Sequence, residues 1–135
     1  MEEKIVLSWE KNKDSLKELI EEKLRVDSET QRTTDIGYED LVIMMGKTIL
    51  KGTSTYGRDW DYSRLTEIDD GDYQGTLLFV LPEEGYQPDN YLAIKVSYGS
   101  CSACDTLQGI LYYDKDKADG LMTLCLHMIQ SAKVV

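Results

Sequence analysis

The chain has two prolines, one phenylalanine and one histidine among its 135 residues, and its three cysteines cannot all pair with one another. An odd cysteine count with no export signal argues against a disulfide scaffold and for reduced thiols. Basic residues are outnumbered, 15 against 25 acids, which leaves a net charge of −10. Duplex nucleic acid is repelled by such a balance unless bases gather on one face, and the sequence shows no such gathering, so direct nucleic-acid binding is not expected. Long apolar runs are missing as well. The longest strongly apolar stretches, 77–81 and 121–129, fall far short of the roughly 20 residues a membrane span needs. The acidic start Met1-Glu2-Glu3-Lys4 is unlike the basic n-region and apolar centre of a secretory signal. The expectation is a cytoplasmic protein with no membrane contact.

What is present suits one folded domain over 1–135, with a helical part at 1–52 and a sheet followed by helices at 63–135. The hydrophobic content of 41% with nine tyrosines and two tryptophans is that of a chain able to build a core. From Ser8 to Leu24 the apolar residues Trp9, Leu16, Leu19, Ile20 and Leu24 recur at helical spacing, which predicts a first helix capped by Ser8. Residues 27–34 are polar and aperiodic and read as a connector. A second, more apolar helix is predicted over 38–50, with Gly52 as its stop, and 53–62 reads as a surface loop anchored by aromatics.

Strands follow. The stretch 64–69, the turn residues Asp70-Gly71-Asp72 and the stretch 74–81 predict a β-hairpin around Gly71. Pro82 ends its second strand, and 91–98 makes a third. Ser100 or Ser102 can cap a short helix running to about Tyr112, a polar break covers 114–120, and a last helix runs from Leu121 to about Lys133. The order ααβββαα, with three antiparallel strands and about four helices, is an α+β fold.

Three groups of residues carry functional expectations. The first is Cys101-Ser102-Ala103-Cys104, a CxxC pair that follows a predicted strand and lies in the first turn of a predicted helix, where the partial positive charge of a helix start can lower a thiol pKa. A thioredoxin fold is excluded, because only about 30 residues and no proline follow Cys104. A redox-active pair, a metal site and two small buried residues in a tight turn all remain readings of Cys101 and Cys104. A four-ligand zinc site completed by Cys125 and His127 fails on geometry, since residues two apart on a helix point nearly opposite ways. The second group is acidic. Residues 59–89 hold nine acids against Arg64 alone, and Asp59, Asp61, Glu67, Asp69, Asp70 and Asp72 form a candidate interaction surface. The spacing of Asp69, Asp70 and Asp72 lacks the pattern of a calcium loop, so no metal is assigned. The third is a candidate small-ligand or nucleotide pocket of polar-tipped side chains, Tyr73, Gln74, Tyr98 and Ser100. No phosphate-cradling glycine loop, nucleophile elbow or zinc-protease motif occurs, so no catalytic residue and no cofactor are assigned.

The stretch Glu67-Ile68-Asp69-Asp70-Gly71-Asp72-Tyr73-Gln74-Gly75-Thr76-Leu77-Leu78-Phe79-Val80 and the stretch Tyr98-Gly99-Ser100-Cys101-Ser102-Ala103-Cys104-Asp105-Thr106-Leu107-Gln108 resemble a family of small uncharacterised proteins of bacteriophages and prophages. With the terminal Leu126-His127-Met128-Ile129-Gln130, the resemblance spans about 65–130. Similar members often carry Gly where Ala103 stands and lack a cysteine at the place of Cys125. The resemblance implies a phage setting and no established activity. By analogy with phage accessory proteins of this size, it implies binding to a host protein, including the nucleic-acid-targeting enzymes of bacterial defence, as an anti-CRISPR inhibitor would.

Overall fold

The computed structural model describes residues 3–30, 36–54, 58–71, 75–85, 88, 90–99 and 105–135. Helix α1 spans Glu3–Thr30, and α2 spans Tyr38–Lys47. A single 3-10 turn, Tyr62–Arg64, precedes strands β1 (Thr66–Asp69), β2 (Gly75–Pro82) and β3 (Tyr91–Tyr98). Helices α3 (Thr106–Tyr113) and α4 (Lys117–Gln130) then lead into a two-residue strand β4, Lys133–Val134. The fold is α+β, with an antiparallel sheet in the spatial order β1-β2-β3-β4.

Helix α1 is longer at both ends than the predicted 8–24. Its buried stripe begins at Ile5 and runs through Trp9, Leu16 and Ile20, a spacing of whole turns that a helix starting at Ser8 would cut short. Ser8 is therefore inside the helix and not its cap, and its hydroxyl donates to the Ile49 carbonyl. The predicted connector at 27–34 is helical through Thr30, because Asp27 is buried and held one turn away by Lys23, 3.0 Å from it. Helix α2 ends at Lys47 and not at 50, and the chain turns through Gly52, whose φ of +72° suits glycine.

The sheet has one face toward the helices. Leu77, Phe79 and Leu81 of β2 stand opposite Val96, Ile94 and Leu92 of β3, and these side chains join the core with α1, α2 and α4. The predicted first strand 64–69 shortens to β1, because Asp61 caps the 3-10 turn and folds Tyr62–Arg64 out of line. Residues 59–61 already run beside β2: the Asp61 N–H donates to the Pro82 carbonyl at 2.7 Å, and the Glu84 N–H to the Asp59 carbonyl at 2.9 Å. The predicted surface loop 53–62 thus contains an edge segment, and Trp60 is buried there with its indole N–H on the Thr53 hydroxyl.

The expected three strands become four. After α4, Ser131 binds both the Lys95 N–H and the Lys95 carbonyl, which steers the chain onto β3. Two residues are too few to leave a period-two pattern, so β4 carried no signal in sequence. The last helix starts at Lys117, capped by Asp116, and stops at Gln130, so the predicted polar break at 114–120 narrows to 114–116. Gly120 lets α4 start against α3: a Cβ there would lie 2.8 Å from an Ile110 methyl and closer still to Asp114. Helix α3 begins at Thr106, because Asp105 caps it by accepting the Gln108 N–H at 2.9 Å, and the predicted caps Ser100 and Ser102 lie outside the described residues. Among the described residues no helix is long and apolar enough to cross a membrane.

Candidate functional site

The acidic residues form a line. Because 59–61 and then 66–70 run along the same edge of β2, Asp59, Asp61, Glu67, Asp69 and Asp70 lie along one edge of the sheet, from beside Glu84 to beside Thr76. Eight strand steps separate these limits, roughly 26 Å at about 3.3 Å per residue. Sequence composition shows the charge excess, but only the pairing shows that it lies along an edge.

Most of these carboxylates also hold the backbone. Asp59 accepts the Gly52 N–H at 2.7 Å. Asp61 accepts the Ser63 hydroxyl and N–H and the Arg64 guanidinium at 2.7 Å, contacts that hold its carboxyl below the usual carboxylate range, the serine hydroxyl most and the arginine next. Asp69 accepts the Tyr98 hydroxyl at 2.5 Å and the Gly71 N–H at 2.9 Å, and these, Tyr98 first, lower its pKa as well. Asp70 accepts the Thr76 N–H at 2.6 Å across the turn. Glu67 and Glu84 are exposed, and neither carboxylate takes part in a hydrogen bond or ion pair among the described residues. Hydrogen bonds to the ionised form stabilise it, which is how Asp61 and Asp69 are held below the usual carboxylate range.

Of the predicted pocket, Tyr98 is described, and its hydroxyl is taken by Asp69. The pair brings one residue of the expected pocket to one residue of the expected acidic surface. Tyr73, Gln74 and Ser100 lie outside the described residues, as do Asp72, Cys101 and Cys104. What borders the cysteines is firmly built. The buried Asp105 carboxylate accepts the Tyr38 hydroxyl and the Gly99 N–H, each at 2.9 Å. The Tyr38 hydroxyl in turn accepts the Leu107 N–H at 3.3 Å. Gln108 donates its side-chain amide to the Gly99 carbonyl at 3.3 Å. Burial, and next the carboxylate of Asp105, raise the Tyr38 pKa far above that of an ordinary phenol. The bond between Asp105 and Tyr38 left no signal in the sequence, because the two residues are 67 apart.

Cys125 is fully buried, and burial pushes its thiol up to about 12. His127, two residues on, is exposed in the last turn of α4. The two side chains therefore face apart, as the helical spacing predicted. No group of three or more potential ligands converges among the described residues.

A cleft of about 330 Å³ lies between the end of α2 and the edge segment, lined by Lys47, Lys51, Asp59, Trp60, Tyr62 and Glu84. The Lys47 ammonium sits 5.9 Å from the centre of the Tyr62 ring. Opposite Trp60, Glu83 is 1% exposed, with one carboxylate oxygen on the Asn90 amide at 3.3 Å and the other without a hydrogen-bond partner. Neither feature was visible in sequence. Glu83 sits in the same acidic run as its exposed neighbours and differs from them only by the strand phase that turns it inward.

No family model matches this chain, and no curated protein or solved structure matches it.

Proposed function

We propose that this chain is a non-enzymatic accessory protein of phage type that binds a host protein, with a nucleic-acid-handling defence enzyme as the target class. One observation carries the reading: Asp59, Asp61, Glu67, Asp69 and Asp70 lie along a single sheet edge, and the last three are exposed there. A basic groove that normally holds nucleic acid offers the complementary surface, and such pairing speeds encounter and suppresses wrong partners. The density of the line refines the mimicry. Five carboxylates over roughly 26 Å give about one charge per 6 Å, against one per about 3.4 Å on a single strand of duplex DNA. The edge therefore matches phosphate in sign but at nearly twice its spacing, which suits a protein groove of discrete Lys and Arg side chains.

The test is affinity capture from a bacterial host lysate, comparing the wild type with the double variant Glu67→Lys, Glu84→Lys. These two side chains hold no backbone group, so the variant should keep its fold and lose the captured protein. Capture of the same protein by both forms would count against the acidic edge as the binding surface.

A further inference from the structure

Strand β1 is the outermost strand of the sheet, and its four residues are all exposed. The Asp70 N–H donates to the Thr76 carbonyl at 3.2 Å, which fixes the phase of the β1–β2 ladder. In an antiparallel pair, residues alternate between bonding the partner and facing away. With the register Ile68↔Leu78 and Thr66↔Val80, residues 66, 68 and 70 bond inward, and Glu67 and Asp69 aim their N–H and C=O groups out of the sheet. The other side of β2 agrees, since the Glu83 N–H donates across to Asn90 on the β3 side while 82 and 84 bond residues 61 and 59. Among the described residues no strand pairs with this edge.

The side chains of β1 are sorted by face. Glu67 and Asp69 stand opposite Phe79 and Leu77 and so project on the helix-bearing side, whereas Ile68 stands opposite Leu78 on the other side and is 50% exposed. An unpaired edge of this kind is a template for another strand. A second copy of this chain is the wrong occupant, because pairing β1 with β1 sets Glu67 and Asp69 against the same carboxylates, and like charges opposite one another destabilise a sheet.

The geometry points to β1 as a docking edge for an extended segment of a basic partner protein, added as a fifth strand in which Lys or Arg alternates with an apolar residue. The basic positions face Glu67 and Asp69, the apolar positions lie beside Ile68, and the main chain bonds the outward groups of residues 67 and 69. This inference rests on the acidic-edge reading above and specifies how the partner is held.

The probe is a capped ten-residue peptide of alternating lysine and valine, tested for binding at low salt beside three controls. These are a glutamate–valine peptide, a peptide of the same composition with its lysines in one block, and the alternating peptide N-methylated along the face that would bond β1. On the protein side, Glu67→Pro removes one outward donor and leaves the inward ladder intact, and Glu67→Lys reverses one charge. The account expects the alternating peptide to bind and to slow hydrogen exchange at the amides of residues 67 and 69. N-methylation and Glu67→Pro should each weaken binding about tenfold or more, and Glu67→Lys should weaken it with a shallower dependence on salt. If the N-methylated or block peptide binds as well as the parent, while Glu67→Lys still weakens binding, strand addition is wrong and the acidic edge stands. If Glu67→Lys changes nothing, or the glutamate peptide binds equally, both readings fall. Failure of the alternating peptide to bind at millimolar concentration also overturns strand addition. N-methylation acts on the peptide alone, so the comparison holds even if Glu67→Pro is poorly folded.

Discussion

A single carboxylate, Asp105, shows how much one residue can organise. It ties the end of β3 to the start of α3 and to Tyr38 at the start of α2. Asp105→Ala leaves the Gly99 N–H and the Tyr38 hydroxyl short of a partner in a buried place and removes a helix cap, at a cost of about 3 kcal/mol. The expected result is a clear fall in the midpoint of thermal unfolding. Cys125 gives a second prediction. Because its folded pKa of about 12 lies above the ordinary thiol value of 9.0, the folded state favours the neutral thiol. That stabilisation is complete below pH 9 and is lost as pH rises from 9 toward 12. Cys125 should resist alkylation at pH 8 in the native protein and react in denaturant, as peptide mass mapping will show, and stability should fall steadily above pH 9. For Asp69 the sign is opposite. Its pKa is depressed, so its contribution is present above the ordinary value of 3.8 and is lost as pH falls through its lowered one. Tyr98→Phe removes the largest cause, and a carboxylate titration followed by NMR should show Asp69 moving up toward its ordinary range.

Among elements, the sharpest periods were the most legible. Strand β3 occupies the predicted 91–98, and α2 begins at the predicted Tyr38. The stripe of α1 was visible too, but Ile5 and the buried Asp27 extend it in ways that depend on what it packs against. Strand β4 and the edge segment around Trp60 owe their positions to tertiary partners, Lys95 with Ser131 and Pro82 with Asp61, so neither left a local signature. The acidic surface was legible as composition and illegible as a line, since its alignment comes from the pairing of 59–61 and 66–69 with one strand. The contact between α3 and α4 supplies a prediction at this scale. Gly120→Ala forces a Cβ against Ile110 and Asp114, and overpacking of this kind costs about 1–3 kcal/mol. The variant should unfold at a lower temperature, and circular dichroism should show its helix content retained.

For the whole molecule, the distribution of charge matters more than its total. Helix α1 carries eight acids and six bases, several of them paired within the helix or, through Lys17 and Asp119, with α4. Residues 59–89 hold nine acids against one base, and the fold sets five of these along a sheet edge that no described strand covers. The proposed basic partner would be attracted from the side of that edge. Exposed charges are screened beyond about 10 Å at 0.1 M salt, so the attraction should be strongly dependent on salt. The most direct measurement is the affinity for the captured host protein as a function of salt concentration, for the wild type and for the variant Glu67→Lys, Glu84→Lys. The account predicts affinity that falls steeply with salt in the wild type, and weaker binding with a flatter dependence in the variant. Affinity that stays constant from low to high salt in the wild type would contradict it.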